Sequence, residues 1–173
     1  MNKLLTILLL NKLSKSSGSG SGFPPDWSQI GYSDTPEDII NAFNHAKNIY
    51  DNWNDSTTSL YGTYENDTNL IYMPLINTQN VTSMDSTFSN CSALKYIPVL
   101  DTKKAVSMTS IFSGCSNLTN ESLNNIMAMC INTTSAYTGL KTLNWLGINS
   151  TQATICEGLS NYQAFLDAGW SKS

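Results

Sequence analysis

Apolar positions recur along this chain with two different periods. Between residues 36 and 53 they fall at Ile39, Ile40, Phe43, Ala46, Ile49, Tyr50 and Trp53, the three-and-four spacing of an amphipathic helix. Asp34 or Thr35 stands where an N-cap belongs. Pro36, Glu37 and Asp38 follow, residues favoured where free amides point outward and the helix dipole welcomes negative charge. Further on the period lengthens to 24 residues: Met84 recurs as Met108, Phe88 as Phe112, Cys91 as Cys115 and Leu94 as Leu118. A weaker unit precedes these two, with Leu70, Tyr72, Pro74 and Thr78 standing 24 residues before Leu94, Tyr96, Pro98 and Thr102. An echo of this length is the mark of stacked units that bury a common core, and about three units are the minimum for such a stack.

Within one unit, Leu94, Ile97 and Val99 alternate as a short strand does, which predicts Ile97 and Val99 facing inward and Tyr96, Pro98 and Leu100 outward. Pro74 and Pro98 lack an amide hydrogen, so any strand pairing there must be short. Met and Phe four apart in Val81 to Phe88 and in Ala105 to Phe112 read as one or two helical turns behind that layer. The pattern fails at Glu121, where Asn120-Glu121-Ser122 instead starts a helix through Leu123, Ile126, Met127 and Cys130. Two short helical segments, Thr151 to Glu157 and Asn161 to Ala168, follow before Gly169.

The first fifteen residues carry Leu4, Leu5, Leu8, Leu9 and Leu13, with Leu5, Leu9 and Leu13 spaced by four as one apolar stripe. The run from Leu4 to Leu10 is far short of the roughly 20 residues a membrane span needs. It reads as a docking or oligomerisation helix, or as a signal peptide whose positive region is Lys3. Ser16 to Gly22 is a flexible tether, and a synthetic linker would read the same way. The expected organisation is therefore a docking peptide at 1–15, a linker at 16–25, an N-terminal helical cap at 26–57, 24-residue units at 58–118 and a C-terminal helical cap at 119–173.

Charge and cysteine content narrow the chemistry. Nine basic against thirteen acidic residues give a formal charge of −4, and the lysines are scattered, so no concentrated positive patch exists to track nucleic-acid phosphates. Charged residues make up only 13% of the chain, leaving Asn, Ser and Thr to cover the surface. Cys91 and Cys115 occupy equivalent positions in neighbouring units, open either to a disulfide or to use as small buried core residues. His45 is the single histidine, with no neighbouring Cys or carboxylate in sequence to make a metal or catalytic centre. Asp85 and Asp101 suggest paired carboxylates, yet Asp85 becomes Thr109 in the next unit. Ser83 and Ser107 recur without a histidine. The reading is of a non-enzyme with no catalytic, cofactor or metal site. The Asn-x-Ser/Thr triplets at Asn54, Asn66, Asn80 and Asn117 are ordinary in so polar a composition.

The strings VTSMDSTFSNCSALKYIPVLDT and AVSMTSIFSGCSNL resemble the BspA-like leucine-rich repeats of bacterial surface proteins, in the short form found in head-fibre, tail or baseplate proteins of phages infecting gut bacteria. The resemblance rests on Val81 to Met84, Phe88 to Cys91 and Leu94 to Ile97, returning at Met108, Phe112 to Cys115 and Leu118. Ala105 and Glu121 depart from it. It implies an α/β fold, a short leucine-rich-repeat-like solenoid with helical caps and an N-terminal docking peptide. It further implies a non-enzymatic phage virion structural or decoration protein at the virion surface, serving attachment or protein interaction, with a secreted bacterial cell-surface adhesin as the alternative. The expected partners are other virion proteins through the N-terminal peptide, copies of the chain itself in a homo-oligomer, and a host surface protein or glycan, with no nucleic acid and no membrane span. Recurring outward positions would form the interaction surface, namely Tyr72, Pro74, Tyr96 and Pro98.

Overall fold

The computed structural model describes residues 35–173. The peptide carrying Leu4, Leu5, Leu8, Leu9 and Leu13, the linker and the start of the 26–57 segment lie outside the described residues. Four α-helices are the regular elements among those described: α1 (Pro36–Asp51), α2 (Asn120–Ile131), α3 (Ser150–Cys156) and α4 (Tyr162–Asp167). There is no β-strand among them, only isolated parallel bridges. The expected α/β class and leucine-rich-repeat-like architecture are thereby corrected: among the described residues the strand layer that defines such a fold is missing, and the regular secondary structure is helical. The reason is local. Met73 N donates to Tyr96 O at 3.0 Å, but Pro74 and Pro98 follow without an amide to offer, and the pairing stops at the single bridge Tyr72–Tyr96.

α1 begins where its sequence says it should. Thr35 Oγ1 accepts from Asp38 N at 3.2 Å and Asp38 Oδ2 accepts from Thr35 N at 2.9 Å, a reciprocal capping box with Pro36 in the first turn. The Thr35 hydroxyl, which donates to Asp38 Oδ2 at 2.7 Å, and the Thr35 amide together lower the pKa of the Asp38 carboxyl. The buried stripe Ile39, Ala42, Phe43 and Ala46 packs on Tyr72 and Tyr96, whose rings stack at 4.5 Å. This overturns the expected interaction surface. Tyr72 is 1% exposed and Tyr96 6%, and Pro74 and Pro98 are buried with them. The helix covers the side of the segment that alternation assigned to solvent, and Val99 and its counterpart Leu75 are left exposed instead.

Between α1 and α2 the chain runs through turns joined by backbone bonds between residues about one unit apart. Met84 N reaches Ser107 O at 3.0 Å, Ser86 N reaches Thr109 O at 2.9 Å and Phe88 N reaches Ile111 O at 3.0 Å. The helical turns expected at 81–88 and 105–112 therefore do not form. Ser86 has φ 54°, Asn90 61° and Ser110 54°, left-handed values that break any right-handed helix and turn the amides toward the neighbouring segment. Side chains lock the same stack: Thr87 Oγ1 donates to Leu60 O at 3.0 Å, and the Cys91 and Cys115 thiols donate to Tyr64 O and Phe88 O. The core comprises Met84, Phe88, Cys91 and Leu94 with their counterparts Met108, Phe112, Cys115 and Leu118, continued by α2.

α2 starts at a Thr119 cap, whose Oγ1 accepts from Ser122 N at 3.2 Å, and packs on both α3 and α4. Phe165 and Trp170 close this end against Tyr137. All four cysteines are free and buried. Burial pushes the Cys91 and Cys156 thiols up to about 11 and Cys115 up to about 12, and holds Cys130 well above its usual value. Burial likewise pushes the Tyr64 phenol up to about 12 and raises Tyr96 and Tyr137. These groups are neutral when protonated and lose their protons more readily once unfolded. Their contribution to stability is thus complete below the usual thiol value of 9.0 and falls as pH rises through 9 toward 12. Urea midpoints should decline between about pH 8 and about pH 10.5. A flat profile across that interval contradicts the burial of these thiols and phenols.

Candidate functional site

α1 presents its polar side to the turn that follows Asp67. Between them lies an open groove of about 540 Å³ lined by Asp38, Asn41, Asn44, His45, Asn48, Thr68 and Asn69, with Ala42 and Ile71 as its apolar part. His45 Nε2 lies 2.7 Å from Asp67 Oδ2. The other carboxylate oxygen, Oδ1, accepts from Asn69 N at 3.0 Å, which fixes the turn and with it the carboxylate. His45 thus has the partner that its sequence neighbourhood does not offer. Asp67 lies 22 residues away, brought in by the packing of α1 on Tyr72 and Tyr96. The one sequence signal for it is the Asp67-x-Asn69 turn pattern, which points to a structural carboxylate rather than to a histidine partner.

The groove continues past Asn48 into a second depression of about 350 Å³, lined by Asn52, Trp53, Asn54, Thr57 and Tyr64 among others. Trp53 Nε1 donates to Asn77 O at 3.1 Å, so the indole is held at a set orientation. Side-chain amides, which donate and accept at once, are the commonest lining group of the first depression, whereas Ile49, Trp53, Leu60 and Tyr64 make the second more apolar.

A second surface is built by stacked segments, the first three spaced by 24 residues and the last, with Thr138 and Trp145, falling outside that period. Thr58, Thr82, Val106 and Thr138 make one row, each amide from Thr82 onward donating to the carbonyl of the member before it at 2.8–2.9 Å. Ser59, Ser83 and Ser107 make the next, through parallel bridges. Tyr61, Asp85, Thr109 and Trp145 make a third, in which Gly62 N bonds Asp85 O at 3.0 Å, Ser86 N bonds Thr109 O at 2.9 Å and Ser110 N bonds Trp145 O at 2.8 Å. The last two rows share a side, since Ser107 Oγ bonds Asp85 Oδ1 and meets Thr109 Oγ1 at 3.1 Å. Tyr61 is 70% exposed and Trp145 38%.

The paired carboxylates suggested by sequence do not form. Asp85 Oδ1 accepts from Thr109 N at 2.6 Å and from Ser107 Oγ, whereas Asp101 Oδ1 accepts from Lys103 N at 2.9 Å in a turn of its own. Among the described residues no group of His, Cys, Asp and Glu is placed to hold a metal ion, and no helix is long and apolar enough to cross a membrane. No family model, no curated protein and no solved structure matches this sequence. With no match, and no strand layer among the described residues, the resemblance to BspA-like leucine-rich repeats is not upheld, and the phage virion and bacterial adhesin roles inferred from it fall with it.

Proposed function

We propose that this chain is a non-catalytic recognition module whose groove along α1 binds a small neutral carbohydrate. The observation that carries this is the lining: Asn41, Asn44, Asn48 and Asn69 face one open space of about 540 Å³. Each amide offers both a donor and an acceptor, which suits hydroxyl groups that do both. Acyl or glycosyl transfer needs a nucleophile or a pair of acids free to exchange protons. The His45–Asp67 pair could orient a base, but the groove lining holds no Ser, Cys or Lys for it to activate, and Asp38 is committed to capping α1. Of the partners entertained from sequence, a glycan fits this chemistry best. The pair His45–Asp67 serves in this reading to hold the floor of the groove in place.

Titrating neutral mono- and disaccharides into labelled protein is expected to shift the side-chain amide resonances of Asn41, Asn44, Asn48 and Asn69. The Asn44→Ala/Asn48→Ala double variant should weaken the shifts roughly tenfold or more through loss of hydrogen bonds worth about 0.5–1.5 kcal/mol each. Absence of any shift at millimolar sugar would reject the groove as a sugar site. Turnover of a sugar that disappears in His45→Ala would reject the non-catalytic reading.

A further inference from the structure

We infer that the face built by these hydrogen-bonded rows is a second recognition surface, one that binds a linear neutral polysaccharide laid across the rows, with Tyr61 and Trp145 as its two aromatic platforms. Tyr61, Asp85, Thr109 and Trp145 line neither depression of the groove, although Ser59 of the neighbouring row borders the second. Tyr61 and Trp145 occupy the same register at the two ends of one row, with Asp85 and Thr109 between them. Backbone segments joined by hydrogen bonds lie about 4.8 Å apart, so three such steps separate the backbones of the two aromatic residues by roughly 14 Å. A linear chain of pyranose rings advances by about the same step, so that its end rings meet the aromatic side chains while the middle ones lie over Ser83, Asp85 and Thr109.

The chemistry between the platforms agrees with a neutral chain. Asp85 is the one charged residue in the three rows, and its Oδ1 is already engaged by Thr109 N at 2.6 Å and by Ser107 Oγ. A carboxylate so placed can accept from a sugar hydroxyl and repels an anionic polymer. A cationic or nucleic-acid chain has no matching array here. Aromatic faces flanking hydroxyls and one carboxylate supply the apolar contact for the sugar ring's C–H face and polar partners for its edge. The backbone of the rows is already held by hydrogen bonds, so the ordering that accompanies binding falls on side chains such as Tyr61.

Sedimentation of the protein with microcrystalline cellulose, chitin and curdlan tests the surface, followed by titration of the di- and tetrasaccharides of whichever polymer retains it. The tetrasaccharide is expected to bind at least tenfold more tightly than the disaccharide, since only the longer chain reaches both aromatics. Tyr61→Ala and Trp145→Ala should each weaken binding roughly fivefold to tenfold, while Tyr61→Phe and Trp145→Phe keep a ring and most of the affinity. Failure to sediment with any of the three polymers overturns the inference. So does equal affinity for the two chain lengths, or retention that survives removal of both rings. Both side chains are exposed, so the alanine variants should keep the far-UV spectrum of the parent; if one does not, the phenylalanine pair decides by keeping or losing retention.

Discussion

Replacing Phe88 with alanine is expected to destabilise the protein by about 3–5 kcal/mol, a large fraction of the stability a domain usually has. Phe88 has no exposed surface. Its ring lies between Tyr64 at 5.6 Å and Phe112 at 5.7 Å, with interplanar angles of 9° and 5°, so one side chain holds together three consecutive levels of the stack. Truncation leaves a cavity that the flanking rings cannot close, because their backbones are pinned. Phe88 N bonds Ile111 O at 3.0 Å and Tyr64 N bonds Thr87 O at 3.0 Å. It also removes two stacked pairs, each worth about 0.5–1.5 kcal/mol beyond burial. Urea denaturation followed by far-UV circular dichroism should place the midpoint of Phe88→Ala below that of Phe88→Leu, which keeps more of the volume and loses chiefly the two ring pairs, about 1–3 kcal/mol. A loss below about 1.5 kcal/mol for the alanine variant would show that the ring stack does not carry the core.

The echo that identifies Phe88 and Phe112 as equivalent also identifies the core. Met84, Cys91 and Leu94 and their partners 24 residues on are all buried, because residues at equal heights in stacked segments meet the same neighbours. The α1 cap and the helix starting near Asn120 are legible for a different reason: their end signals are local, a threonine hydroxyl and the amide three residues on. The backbone between them is not legible in the same way. Ser86 and Ser110 adopt φ 54° although serine has no preference for it, and only their counterpart Gly62, at φ 59°, hints that this register position is left-handed. Alternation at Tyr96 and Pro98 misleads because it presumes one solvated side, whereas α1 buries that side as well. The His45–Asp67 contact joins a helix to a turn 22 residues away, and no short-range pattern encodes it. What sequence alone supplies is therefore the list of interior residues and two helix ends. The groove depends on the angle at which α1 lies on Tyr72 and Tyr96, a property of the packed whole.

Gly147→Ala is expected to cost about 3 kcal/mol, the sum of a left-handed backbone and a collision. Gly147 has φ 87°, where an L-residue is disfavoured by roughly 1–2 kcal/mol. A Cβ there would stand 2.4 Å from Ser113 N and 2.6 Å from Ser113 Cα, both backbone atoms with nowhere to rotate. That backbone is itself tied down: Phe112 N donates to Leu146 O at 2.8 Å and Asn90 N donates to Ser113 O at 2.6 Å. Relieving the clash means lifting 145–147 off the 110–113 segment, at the point where the Trp145 level joins the rest of the stack. Gly169→Ala separates the two causes, since Gly169 has φ 82° with nothing within 4 Å of an added Cβ. It should show the backbone part alone, about 1–2 kcal/mol. Thermal melts of the two variants should therefore differ by several degrees, Gly147→Ala melting lower, at roughly 2–4 °C per kcal/mol for a chain of this length. Equal melting temperatures would mean that the two segments do not approach as closely as described, and the continuity of the row from Tyr61 to Trp145 would have to be abandoned with that approach.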